Sequence, residues 1–114
     1  MAYDEELANR IREQVEHEPG LTEKQMFGGL AFMVNGHLAV SASSQEGLLL
    51  RVDPAETESL VRPPHVGRFV MRGRELNGWL RVDTQACGTD EELQQGVRRG
   101  VSYARSLPPK YDQP

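Results

Sequence analysis

Asn35-Gly36 lies between two runs of strand-favouring residues, and no other feature restricts this chain's fold as much. Both central positions of a two-residue type I′ turn need positive φ, which Asn and Gly tolerate. The flanking runs, Met26 to Val34 and His37 to Ala42, are rich in apolar, aromatic and branched side chains. They read as the two strands of an antiparallel hairpin. Gly28-Gly29 interrupts the start of the first run, which predicts a bulge or sharp bend within that strand. The pair is a poor phosphate cradle, because it lacks the spacing and lysine of a P-loop and does not open a helix.

Other elements fall into place around this hairpin. Asp4 can cap a helix running to about His17, with Leu7, Ala8, Ile11 and Val15 on one face and Glu5 and Glu6 in the first turn. Pro19-Gly20 ends it. Ser43 to Gly47 reads as a turn, and Leu48 to Val52 as a third strand. Asp53-Pro54-Ala55-Glu56 opens a short helix, with Asp53 as cap and Glu56 placed for a capping box; it ends near Val61, before Pro63-Pro64. Two more strands are predicted, Arg68 to Arg72 and Trp79 to Val82, with Asn77-Gly78 as their turn. Thr89 and Glu92 form a capping box for a last helix with an apolar stripe of Leu93, Val97, Val101, Ala104 and Leu107, stopped by Pro108. The order α-β-β-β-α-β-β-α predicts an α+β two-layer fold, an antiparallel five-stranded sheet with helices on one face. Residues 1–110 form a single domain in this reading, and 111–114 a C-terminal tail.

Composition narrows the function. The 114 residues are 38% apolar and 26% charged, enough for one soluble core. No apolar run approaches the roughly 18 residues of a membrane span, and the acidic start MAYDEELANR is unlike a signal peptide. Cys87 is the sole cysteine, which excludes an internal disulfide and fits the cytoplasm. His17, His37 and His65 have no metal-ligand spacing, so no metal or cofactor is expected. The net charge of −4 argues against binding nucleic acid through bulk charge. The charge is uneven: residues 1–23 hold seven acids against Arg10 and Arg12, whereas 62–110 hold nine bases against five acids.

Strand alternation selects the candidate interaction face. If Leu48, Leu50, Phe69, Met71, Leu80 and Val82 point to the helices, then Arg51, Arg68, Arg72 and Arg81 share the open face with Trp79, and Arg74 adjoins them from the turn. Three readings fit such a face. It is a solvated surface whose arginines pair with Glu75 and Asp83, a protein contact, or a site that binds phosphates and stacks a base. Leu30 to Val34 is apolar on both faces, which marks a central strand or one covered by a second copy in a homodimer. Cys87 precedes the last helix, where a dipole lowers a thiol's pKa; an incidental loop cysteine is the plainer reading. No G-x-S-x-G elbow and no paired-carboxylate pattern is present. An enzyme is therefore not expected.

Lys24-Gln25-Met26-Phe27-Gly28-Gly29-Leu30-Ala31-Phe32-Met33-Val34-Asn35-Gly36 resembles the signature of the N-terminal domain of the TfoX/Sxy competence regulators. Gly73 to Val82 is similar to that family's last hairpin, and Gly100 to Pro108 to its closing helix. The resemblance spans about residues 4–110. It implies a two-layer α+β fold similar to secretion chaperones, no catalytic residues, and a part in regulating DNA-uptake genes. Full regulators carry a second, helical domain, so a single-domain member is expected here. The combined expectation is a cytoplasmic protein-interaction domain, in transcriptional regulation, with an unidentified protein partner. The alternatives are a nucleic-acid-binding module on the Arg/Trp face and a small-ligand binder or enzyme.

Overall fold

The computed structural model describes residues 3–26, 28–43 and 47–109. Helix α1 is Glu5–Val15, and Asp4 caps it by accepting the amides of Glu6 and Leu7. Strands β1 (Leu21–Met26), β2 (Gly29–Val34), β3 (His37–Ala42) and β4 (Leu48–Arg51) follow. A 3-10 turn at Pro54–Glu56 leads into a one-turn helix, α2, at Thr57–Leu60. Strands β5 (Val66–Met71) and β6 (Arg74–Val82) come next, then a 3-10 turn at Thr84–Ala86 and helix α3, Asp90–Ser106. The fold is α+β, with one antiparallel sheet in the order β1-β2-β3-β4-β6-β5.

Six strands replace the expected five. The additional one is β1, whose four central residues are exposed. An edge strand in water carries no apolar alternation, so Thr22-Glu23-Lys24-Gln25 gave no signal. It also changes the role of Gly28-Gly29. Met26 pairs with Gly29, the first residue of β2, and Gly28 takes φ +75 in the turn before it, so the Gly-Gly pair marks the end of a hairpin instead of a bend in one strand. Phe27 lies outside the described residues, as do 44–46 of the expected Ser43–Gly47 turn and the expected tail at 111–114. The Asn35-Gly36 turn is as expected, with φ of 53° and 85° joining Val34 to its partner His37. With β1 outside it, β2 is an interior strand.

A second correction concerns the last hairpin. Its turn is Arg72-Gly73, at φ 54° and 78°, with Met71 opposite Arg74. Asn77-Gly78 lies inside β6. There the register jumps: Arg68 opposes Leu80, but Phe69 opposes Leu76. Asn77, Gly78 and Trp79 form the resulting bulge. Gly78 has φ +86, and a Cβ on it would lie 3.1 Å from the Val52 carbonyl oxygen. Its positive φ serves a bulge, where the sequence suggested a turn.

Helices α1 and α3 pack on one face of the sheet and share a core with it. Leu7, Ile11 and Val15 from α1 and Leu93, Val97 and Ala104 from α3 meet Phe32, Val40, Leu48, Leu50 and Leu80. Each large aliphatic buried there contributes roughly 1.5–3 kcal/mol of transfer free energy. The Thr89–Glu92 capping box forms at the start of α3. The capping box expected at Glu56 does not; Asp53 caps through the Ala55 amide, and the Glu56 carboxylate instead meets Arg99 at 3.2 Å.

Gly100 sets how closely α3 approaches the sheet. A Cβ there would sit 2.3 Å from the Ala39 carbonyl oxygen and 2.9 Å from Leu50 Cδ1. Gly100→Ala is expected to lower stability by about 1–3 kcal/mol in urea unfolding, despite alanine's better helix propensity of roughly 1 kcal/mol.

Candidate functional site

The pairing register decides which residues share a face, because directly opposed residues project to the same side. One row runs Glu23, Phe32, Val40, Leu50, Leu80, Arg68 across all six strands. It contains four core residues, so it faces the helices. The next row runs Lys24, Ala31, Ser41, Leu49, Arg81, Gly67 and lies on the opposite face. Ala31, Ser41 and Leu49 are each 3% exposed or less, so the centre of this face is closed.

The five residues expected on one open face do not all meet there. Arg81 lies on it, opposite Leu49. Arg51 and Trp79 oppose each other and stack, with the guanidinium carbon 4.6 Å from the Trp79 ring centroid. The same guanidinium is 5.4 Å from the ring of Tyr103 on α3, so it lies between two aromatic side chains. Such contacts are worth about 0.5–2 kcal/mol each. Its Nε is buried without a hydrogen-bond partner among the described residues. Arg68 belongs to the row of Leu80, on the helix side, and its Nε donates to Asn77 Oδ1 at 2.9 Å. Arg72 is a turn residue at the hairpin tip. The alternation was anchored on Phe69, which lies beyond the register jump, and this reversed Arg68.

What the register assembles instead is a basic hairpin. Only Trp79–Val82 of β6 pairs with β4, so Phe69–Met71 and Arg74–Leu76 form a two-stranded ribbon beyond the sheet's body. Residues 62–82 carry Arg62, Arg68, Arg72, Arg74 and Arg81 against one acid, Glu75. None of the five arginines lies within ion-pair distance of a carboxylate among the described residues. The expected pairing with Glu75 and Asp83 is absent there, because Asp83 is taken by His65. The paired arginines are on the helices: Arg10 with Asp90, Arg12 with Glu23, Arg99 with Glu56 and Arg105 with Glu18. Val70 on the ribbon is 55% exposed, the one large hydrophobic side chain so exposed among the described residues. Arg74 adjoined the expected face from the turn and Val70 alternates onto it, but Arg62 was left out, and these residues were not recognised as one basic cluster. Their signal was present in the sequence as five arginines in 21 residues, but the wider window of 62–110 dilutes it with the acids of α3.

At the base of the hairpin, His65 Nδ1 donates to Asp83 Oδ2 at 2.7 Å. That bond holds the Asp83 carboxyl below its usual range, with help from the amides of Ala86 and Gln85 on Oδ1. Cys87 is buried, and its Sγ lies 3.3 Å from the Asp83 carbonyl oxygen. Burial pushes its thiol up to about 11, the opposite of an activated cysteine.

These elements define a class: an α+β domain with one antiparallel sheet, helices on one side and a basic terminal ribbon. The family model of the TfoX N-terminal domain matches residues 13–104. The chain belongs to that family. No curated protein matches the chain.

Two outcomes follow from Asp83 and Cys87. A depressed carboxyl pKa stabilises the fold above the ordinary carboxylate range and is lost as pH falls through the folded value. Urea midpoints of wild type and Asp83→Asn should therefore differ at pH 7 and converge below about pH 4. A thiol reagent at pH 8 should modify Cys87 slowly in the native chain and rapidly in urea.

Proposed function

We propose that this chain is a non-catalytic protein-interaction domain of the TfoX N-terminal type, acting in the cytoplasm in transcriptional or competence regulation. Family membership supports the regulatory setting. The observation that carries the contact is Val70, exposed on a ribbon at the sheet's edge beside Phe69 and among arginines. Arginine and aromatic side chains around an apolar centre are the composition of a protein contact. The nucleic-acid reading required Trp79 to offer its ring to a base. The Arg51 guanidinium already stacks on that ring, which favours the protein reading.

The test is capture of the tagged native chain from lysate, with and without nuclease. A specific protein that stays bound after nuclease is the expected result. Recovery of nucleic acid alone would transfer the function to the nucleic-acid reading.

A further inference from the structure

The charge of this molecule is segregated. Residues 62–82 carry a net +4 within a chain of −4, so the remainder carries −8. Four arginines of α1 and α3 meet carboxylates, at Asp90, Glu23, Glu56 and Glu18, whereas the hairpin's arginines meet no carboxylate among the described residues. Beside them is a cleft of about 190 Å³, lined by Pro63, Pro64, Phe69 and Val70 together with Arg68 and Arg81. Drug-sized ligands occupy pockets of roughly 300–1,000 Å³, so this cleft suits a single side chain.

We infer that the β5–β6 hairpin docks an acidic polypeptide segment bearing one apolar anchor residue. The inference rests on the interaction reading above and names its partner class. Carboxylates pair with Arg68, Arg72, Arg74 and Arg81 through charge-assisted hydrogen bonds, and guanidinium suits bidentate carboxylate recognition. The anchor enters the cleft beside Val70. Three features favour a short acidic segment over nucleic acid. A polyanion running past the hairpin meets the −8 remainder, and at physiological salt that repulsion is felt over about 8 Å. Phosphates make no use of the Pro63, Phe69 and Val70 surface. The Trp79 ring already carries Arg51. A second copy of this chain offers acids on α1, but Leu7, Ile11 and Val15 of that helix are buried in its own core and supply no anchor.

The test uses the full chain and a short fluorescent peptide of glutamates and aspartates around one leucine, read by anisotropy at two salt concentrations. The wild type should bind it, and more weakly as salt rises. The leucine-to-serine peptide should bind about tenfold more weakly, as should the wild-type peptide on an Arg68→Glu/Arg81→Glu variant. Arg72→Gly should weaken binding several-fold; its φ of 54° suits glycine, so the turn is retained. Absence of peptide binding overturns the inference. So does equal binding of both peptides, equal binding by the variants, or tighter binding of a single-stranded or duplex oligonucleotide. Dimerisation of wild type that Arg72→Gly abolishes makes a second copy the occupant, and also overturns it. A nuclease-resistant partner that the charge-reversed chain captures as well as wild type defeats the hairpin site while leaving the interaction reading intact. Nucleic acid as the only captured species defeats both.

Discussion

The hydrogen bond from the Gly78 amide to Thr57 Oγ1, at 2.7 Å, fixes the point on which the functional half of this fold turns. Thr57 is buried, and its hydroxyl donates in turn to the Pro54 carbonyl oxygen at 2.8 Å. The Gly78 carbonyl accepts the Val52 amide at 2.9 Å. The buried Gly78 amide and carbonyl and the Thr57 hydroxyl are therefore each paired, as a buried site requires. The junction lets β6 leave its pairing with β5 for three residues and resume it with a changed register. From that follow the side on which Arg68 lies, the stacking of Arg51 on Trp79, and the projection of the ribbon.

The two halves of the molecule handle charge differently. On the helix layer, arginines and carboxylates are interleaved and pair at the surface, where each pair is worth roughly 0–1 kcal/mol. On the ribbon, arginines outnumber the single acid, Glu75, and none is paired with a carboxylate among the described residues. Self-repulsion there adds nothing to folding, so it calls for a reason outside the fold. The apolar side chains of the ribbon share this character. Val70 is exposed in a protein whose other large hydrophobic side chains, among the described residues, are at least partly buried.

Much of the fold was legible in the residues. The Asn35-Gly36 turn, the Asp4 cap, the Thr89–Glu92 capping box and the apolar stripes of α1 and α3 all rest on local chemistry that operates within a few residues. The elements that escaped were those whose identity comes from elsewhere in the chain. Strand β1 exists because β2 offers it a partner, not because Thr22 to Gln25 alternate. Of the candidate site, Arg81, Arg68 and the Arg51–Trp79 pair lie on strands as expected, but Arg68 lies on the opposite face and Arg72 lies in the turn. Side-chain parity is reliable only while the register is unbroken, and one bulge reverses it.

Local sequence thus determined most element types, the Asp4 and Thr89 caps, the family and the richness in arginine of residues 62–82, since each depends on propensity, spacing or composition. Tertiary structure alone decided which of two Gly-containing dipeptides became the last turn. Both Arg72-Gly73 and Asn77-Gly78 supply positive φ, so local conformational preference does not separate them. The choice was made by Thr57, Val52 and Pro54, which hold Gly78 within the strand from more than 20 residues away in the chain. Long-range contacts of that kind set strand register, and register decides which charges stand together.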